Sequence, residues 1–399
     1  MPDAFASRDL VEIPAPSRLR ASRVVRALDA RVNGLADHLA RLRRRHGRTH
    51  VAPLPSNPVF AISGQQATFD ELERIAFDPT VMARVERVPA AALVHPDHPT
   101  LETSRVADSL GWRPRAQAAR IYEVMPFACE LDMLELRLTE LHDLVDRFIV
   151  AEASRGFGGV PKPLHLQRNW ARLAPFHSQI DHVVIDTDDF DALYPLRHRD
   201  RTDWTGENAL RTRLWQHARA AALQPDALVI WADVDEMLPR WLIHLLKHYE
   251  CPLPMRVQAP ACRYHFGWRD PRATAGVTIV DAASVNQIDQ RPERIRSLPA
   301  RTFAARGAVH LTSFLDAAVL QMKFALTTDW EPAIERYIRN ERGEIAAMIC
   351  DGLWFGRPLR RYDAEADPLS LVPLTARLNR ARYPLFWPDA SSPTATQFE

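Results

Sequence analysis

The sequence predicts an α/β protein, in which a sheet with parallel strands is covered by helices and preceded by a largely helical N-terminal extension. Three observations predict it. From residue 119 onward, apolar runs of strand length alternate with Leu-rich segments of helical spacing. Residues 1–118 read differently, as Arg-rich helical pieces broken by proline. One strand-like run, LVIWADVDEMLP at 228–239, ends in three acids within four positions.

In the extension, Val25, Leu28, Val32, Leu35, Leu39 and Leu42 recur at spacings of three and four, as an amphipathic helix requires. That face serves either packing within the chain or a partner helix. The segments VAPLPSNPVF and VHPDHPT interrupt the pattern.

RIYEVMPF then reads as a strand, and ELDMLELRLTELHDLV as a helix with Leu131, Leu134, Leu138, Leu141 and Val145 on one stripe. DRFIVAEA and HVVIDT are further strands, and a helix is expected from about Glu207 to Leu223. After the acidic strand, Pro239 suits the first turn of the helix PRWLIHLLKHY. MRVQAPACRYHFGW, GVTIVDAASV and GAVHLTSF are β-like, with helical candidates around 331–350. This places one domain at 119–365 and a C-terminal segment at 366–399, whose end, SSPTATQFE, reads as a loose tail.

Composition narrows the function. The chain has 399 residues, is 46% hydrophobic and carries a formal charge of +1, so no global basic field draws it to nucleic acid or anionic lipid. Its four cysteines lack the spacing of a zinc site or a disulfide framework, which fits a reducing compartment. No apolar leader opens the chain and no run reaches the roughly 18 apolar residues of a bilayer span, so a soluble, cytoplasmic protein without a transmembrane segment is expected.

In open α/β sheets, ligands bind beyond the carboxyl ends of the strands. Strand alternation through the DVDE turn sends Asp233 and Asp235 to one side and Val234 to the other, so two carboxylates can converge on a hard cation, Mg²⁺ or Mn²⁺. The alternative is a solvated turn in which Asp235 or Glu236 caps the following helix. Tyr264, Phe266 and Trp268 alternate along a β-like run and suit either an acceptor sugar or the core.

IYEVMPFACELDMLELRLTELHDLVDRFIVAEAS, GGVPKPLHL and ADVDEMLP, in that order, resemble glycosyltransferase family 17 over roughly residues 120–360. The resemblance implies a GT-A-like, nucleotide-binding mixed sheet flanked by helices. It also implies metal-dependent, inverting transfer of a sugar, GlcNAc from UDP-GlcNAc, to a hydroxyl of a glycan or glycoconjugate with a β-linkage. Pro126, Phe127 and Glu130 would border the nucleotide, although Glu130 also suits a helix N-terminus. Glu152 ends the second strand on the donor side. Lys162, one of only three lysines, would contact the diphosphate or else be a surface lysine between prolines. Arg211 would lie near the donor phosphates or pair with Glu207 four residues earlier. Lys323 stands where the family has lysine, again on the donor side.

His310 falls in GAVHLTSF, which has Val309 where the family has Trp and Thr312 where it has Ser; the Trp-to-Val departure, with Asp329 near where the family has His, bears on acceptor contacts. His310 would be the third metal ligand beside Asp233 and Asp235, or a satisfied core histidine. Inverting transfer also needs a carboxylate to take the acceptor's proton. Asp329 and Glu331 are the first candidates, with Asp316 and Asp270 behind them; Glu236 would orient the metal's surroundings or reach the donor. Two other classes stay open: a metal-dependent phosphohydrolase using the first Asp as nucleophile, and a non-catalytic sugar-nucleotide-binding or scaffold protein.

Overall fold

The computed structural model describes residues 9–13, 69–186, 205–220, 226–282, 284, 295–296, 298–327, 334–339, 342–367 and 369–388. The amphipathic helix expected around 25–42 lies outside them. Residues 1–12 and 66–399 group as one compact unit and 13–65 as another. The first unit therefore takes in residues 66–118, which the sequence reading set apart as extension.

The expected mixed α/β sheet flanked by helices is present. Its strands are β1 (Leu10–Ile13), β2 (Ile121–Phe127), β3 (Arg147–Ala153), β4 (Ile180–Ile185), β5 (Leu228–Trp231), β6 (Glu236–Met237), β7 (Met255–Arg263), β8 (Trp268–Asp281), β9 (Arg301–Ala305) and β10 (Val309–Thr312), with the two-residue strand Arg360–Arg361 added antiparallel beside β8. The main path runs β1-β9-β7-β8-β5-β2-β3-β4, with β10 joining β7 and β6. β5, β2, β3 and β4 are parallel, as the strand and helix alternation predicts. β8 runs antiparallel to both β5 and β7, which makes the sheet mixed.

β2 lies at the centre of the parallel half, and all seven of its residues are buried. Alternation divides them: Ile121, Met125 and Phe127 join one core, Tyr122 and Val124 the other. A strand covered on both faces reads as a continuous apolar run rather than an alternating one.

The helices are α1 (Phe69–Ala76), α2 (Pro79–Val85), α3 (Ser104–Leu110), α4 (Leu131–Leu141), α5 (Thr205–Ala220), α6 (Arg240–His248), α7 (Ala317–Leu326), α8 (Ile334–Arg339), α9 (Arg342–Cys350) and α10 (Leu374–Leu378). α4 packs its leucines into the first core, where each buried leucine stabilises by roughly 2 kcal/mol. α5 supplies Leu210, Leu214 and Trp215 to the second, with Trp215 edge-on to Trp231 at 5.5 Å between ring centres. α1 and α2 pack against α7, so part of the N-terminal region covers the helix that carries Lys323.

The run MRVQAPACRYHFGW is not one strand. β7 stops at Arg263, Tyr264 takes a left-handed φ of 66°, and β8 begins at Trp268. Tyr264 and Phe266 are wholly buried and Trp268 nearly so, and the Tyr264 hydroxyl donates to Leu353 O at 2.7 Å. Tyr264 and Phe266 are therefore core residues. Among the described residues, no helix is long and apolar enough to cross a membrane.

Candidate active site

β5 ends at Trp231, and residues 232–235 form a turn before β6. The two aspartates are thus displayed by a turn and not by strand alternation, and Val234 lines the same cavity. Beneath the turn lies Arg137 of α4, fully buried. Its Nη1 donates to the carbonyl oxygens of Asp233, Val234 and Glu236 at 2.9, 3.1 and 2.8 Å, and its Nε to Glu123 at 2.7 Å. The acidic turn is therefore built on an internal cation.

Glu236 pairs through its strand with β10, where His310 stands opposite it, and Leu311 N donates to Asp235 O at 2.7 Å. This brings His310 Nε2 to 3.4 Å from Asp235 Oδ1. Lys323 of α7 reaches Glu130 at 2.8 Å and Asp235 at 3.8 Å. The end of α7 comes close because residue 156 is glycine: a Cβ there would meet Leu326 O at 2.6 Å.

On the other side, Arg211 Nη2 stands 2.8 Å from Asp233 Oδ1 while its Nε donates to Glu207 at 2.8 Å. Arg296 holds Glu236 with two donors at 3.0 and 2.8 Å, and its Nη2 is 3.0 Å from Asp233 Oδ1. All these groups line one cavity of about 840 Å³. Its described wall carries eight Arg and Lys side chains and His310 against six carboxylates, a surplus suited to an anionic ligand.

The charges shift one another. Burial would raise Asp233, but Arg211 and Arg296 outweigh it and hold its carboxyl well below the usual range. Asp235 is likewise lowered, by His310 and Lys323 against burial. Burial would lower His310 and Lys323, yet Asp235 raises the first and Glu130 with Asp235 the second, so the neighbouring carboxylates favour the charged form of each. Glu130 is lowered by Lys323 despite burial, and Glu207 is raised by burial.

Most of the residues singled out in the sequence meet here. Pro126 and Phe127 at the end of β2, Glu130, Arg211, Asp233, Asp235, Glu236, His310 and Lys323 all line the cavity. Glu152 does not. Its carboxylate accepts from Leu166 N at 2.8 Å and Gln167 N at 3.1 Å, capping the helical turn His165–Arg168. Lys162 is on the wall, but it is neither a surface lysine nor a free cation. It is buried, its ammonium donates to Ala128 O and Pro163 O at 3.1 and 3.0 Å, and Glu152 is 3.7 Å away, so it ties two loops together.

Glu236 is also engaged. Besides Arg296, it accepts from Asp233 N at 2.8 Å, so it holds the turn and is not poised to take a proton. Asp316 caps α7 through Ala318 N and Val319 N, and Asp270 pairs with Arg263 at 2.8 Å. Asp329 and Glu331 lie outside the described residues. Arg137 and Arg296 were not singled out from the sequence. The one signal for Arg137 is its place three residues after Leu134, on the apolar stripe of α4.

Among the described residues, no three His, Cys, Asp or Glu side chains stand grouped as a ready metal site. In kind, the two carboxylates and the imidazole that line this cavity nevertheless suit a hard divalent cation. Asp233 Oδ1 is buried and has no aligned hydrogen bond, although two guanidinium nitrogens lie within 3.0 Å. Asp233, Asp235 and His310 thus fit such an ion in kind; to take it, Asp233 would have to leave the arginines and His310 to bind as the neutral imidazole.

Fold and cavity together define an α/β protein built to take a charged ligand at the carboxyl edge of its parallel strands. The sequence model of glycosyltransferase family 17 matches residues 73–287, more than half of the chain, and the chain belongs to that family. It is 30% identical over 182 residues to the rat and human β-1,4-mannosyl-glycoprotein 4-β-N-acetylglucosaminyltransferases, covering 44% of this chain and 33% of each relative. To the mouse protein of the same name it is 30% identical over 161 residues, 40% of this chain and 29% of that one. The chain therefore spans about a third of the length of the curated relatives it matches. Among solved structures, it is similar to 4-diphosphocytidyl-2C-methyl-D-erythritol synthase from Anaerococcus prevotii, with a TM-score of 0.29 and 9% identity over 51% of this chain and 95% of that one.

Proposed function

We propose that this chain is a cytoplasmic, metal-dependent, inverting glycosyltransferase that moves GlcNAc from UDP-GlcNAc to a hydroxyl of a glycan or glycoconjugate, forming a β-linkage. Family membership supports glycosyl transfer, and the names of the matched relatives support GlcNAc as the group moved. The observation that carries the reading is the double convergence in one cavity: Arg211 and Arg296 on Asp233, His310 and Lys323 on Asp235.

Four basic side chains around two aspartates form a site where charges can change partners. When the donor's diphosphate enters, Arg211 and Arg296 exchange Asp233 for phosphate oxygens, making charge-assisted hydrogen bonds of a kind guanidinium geometry favours. Asp233 and Asp235, with neutral His310, would then hold Mn²⁺ or Mg²⁺, which supplies Lewis-acid stabilisation of the charge that builds on departing UDP. Lys323 stays beside Glu130 and adds positive charge at the same edge. Pro126 and Phe127, at the end of β2, border the nucleotide. Asp329 and Glu331 are kept as the proposed proton acceptors.

The test is incubation of the purified chain with UDP-GlcNAc and Mn²⁺. Slow UDP release by donor hydrolysis, lost in Asp235→Ala, supports the transferase. Phosphate release from phosphomonoesters without nucleotide points instead to a phosphohydrolase, and nucleotide binding without turnover across an acceptor panel to a scaffold.

A further inference from the structure

The basic surplus of the large cavity is not spread evenly along its wall. Apart from Arg263, Arg272, Arg357 and Asp270, the described wall carries five Arg and Lys side chains and His310 against five carboxylates. That end, around the acidic turn, is close to balanced, and its Arg211 and Arg296 turn to the donor's diphosphate in the proposed mechanism. The other end sets three arginines against the single carboxylate of Asp270. Their excess charge has no counterpart in the donor.

The fold brings these arginines together on the antiparallel side of the sheet. Arg263 closes β7, where its guanidinium carbon lies 3.8 Å from the Trp354 ring centre and its Nε donates to Asp270 of β8 at 2.8 Å. Asp270 also accepts from Arg272 N at 3.0 Å, and Arg272 Nη2 donates to Pro358 O at 3.0 Å. Pro358 belongs to a hairpin in which Leu353–Trp354 pairs antiparallel with Arg357–Pro358, and the two turn residues, Phe355 and Gly356, have left-handed φ values of 47° and 78°. Stacking, ion pair and hairpin thus hold the three arginines in one neighbourhood. Arg272 and Arg357 are exposed, and the Arg263 side chain keeps 12% of its surface in solvent.

The register of β7 and β10 sets the distance to the acidic turn. His310 stands beside Ala261 and Thr312 beside Arg263, so Arg263 lies two residues further along the same strand face, roughly 7 Å at the usual rise per residue. That is about the length of one sugar residue. We propose that Arg263, Arg272 and Arg357 form an anion subsite, and that the acceptor of this chain carries a phosphate or carboxylate group about one sugar residue from the hydroxyl that is glycosylated. The word acceptor rests on the transferase reading; the negative charge is not supplied by family membership. Guanidinium forks match either oxyanion, and Trp354 and Asp270 fix the plane of Arg263 before it binds.

The experiment is ligand-observed NMR titration of the full chain, with and without UDP and Mn²⁺, using two matched pairs that differ by the anionic group. These are methyl β-glucuronide with methyl β-glucoside, and glucose 6-phosphate with glucose; inorganic phosphate is the fifth probe. The unaltered chain is compared with the double variant Arg272→Gln, Arg357→Gln, both positions being exposed, with its fold checked by circular dichroism. UDP affinity and donor hydrolysis are measured in parallel.

At least one anionic sugar is expected to bind about tenfold more tightly than its neutral counterpart, the scale of charge-assisted hydrogen bonds. The double variant is expected to lose most of that preference with UDP affinity unchanged, and the pair that shows the preference tells phosphate from carboxylate. The proposal is overturned if neither pair shows a preference, if the preference survives in the double variant, or if that variant weakens UDP as much as the anionic sugar, since the surplus then serves the donor. Inorganic phosphate that binds as tightly as glucose 6-phosphate overturns it as well, because the site then reads a free anion and not an acceptor. A chain with the arginine-dependent preference that neither binds nor hydrolyses UDP-GlcNAc overturns the transferase reading and keeps the anion site.

Discussion

Asp235 and His310 meet at 3.4 Å because two short strands, β6 and β10, pair with His310 opposite Glu236. A residue from the turn after β5 and one from 75 positions later in the chain thus share an edge of the same cavity. The pairing is made by backbone hydrogen bonds that do not depend on ligand, which keeps the imidazole beside the carboxylate before any substrate arrives.

Arg296 touches both Asp233 and Glu236, and on this account it turns to the diphosphate when donor binds. Arg296→Ala is expected to weaken UDP binding by about tenfold or more, the scale of a lost charge-assisted hydrogen bond. Calorimetric titration with UDP checks it. A variant with unaltered affinity assigns Arg296 to holding the turn alone.

Arg137 supports the acidic turn from below. Arg137→Ala removes one donor from each of three carbonyls and leaves Glu123 buried without its cation, which costs about 3–5 kcal/mol. Urea denaturation followed by circular dichroism measures the loss. A stability within 1 kcal/mol of the unaltered chain (roughly the effect of a surface change) contradicts the role given to Arg137.

Glu135 joins the C-terminal segment to α4. Its carboxylate accepts from Arg382 at 2.7 and 2.6 Å, from Arg172 at 3.0 and 2.8 Å and from the Tyr383 hydroxyl at 2.9 Å. Burial alone would raise it, but the two arginines bring it from 4.5 to about 2. A folded value below the unfolded one stabilises fully above about pH 4.5, and that contribution, at most about 3 kcal/mol, is lost as pH falls toward 2. Glu135→Gln is expected to be less stable at pH 7 and to lose less between pH 4.5 and 2 than the unaltered chain. Parallel slopes of stability against pH would contradict this.

The sequence made the acidic turn legible because three acids closing a buried strand need an explanation, and charge repulsion supplies one. His310 and Lys323 were legible through family motifs, which hold information about contacts that local spacing lacks. Arg296 was not: it falls in QRPERIRSLP, where nothing periodic distinguishes it from the surrounding arginines, and its partners come from the turn 60 residues earlier. Arg137 was hidden by its neighbours, since a charged residue in a leucine stripe reads as an interruption until the buried carbonyls above it are seen. Glu152 and Lys162 stood out by position, but their partners are main-chain groups that side-chain pattern does not reveal. The strand set was read well in the parallel half, where both faces are covered. It was read less well at Tyr264, whose left-handed backbone breaks a run that alternation alone would continue.

Asp235, with Asp233 and His310, is proposed to hold a divalent cation that ties the nucleotide to the sheet. Isothermal titration of UDP-GlcNAc with and without Mn²⁺, on the unaltered chain and on Asp235→Ala with its fold checked by circular dichroism, tests it most directly. Mn²⁺ is expected to strengthen donor binding in the unaltered chain and to have no effect in the folded variant. Mn²⁺-linked affinity that survives in Asp235→Ala, or none in the unaltered chain, would contradict it.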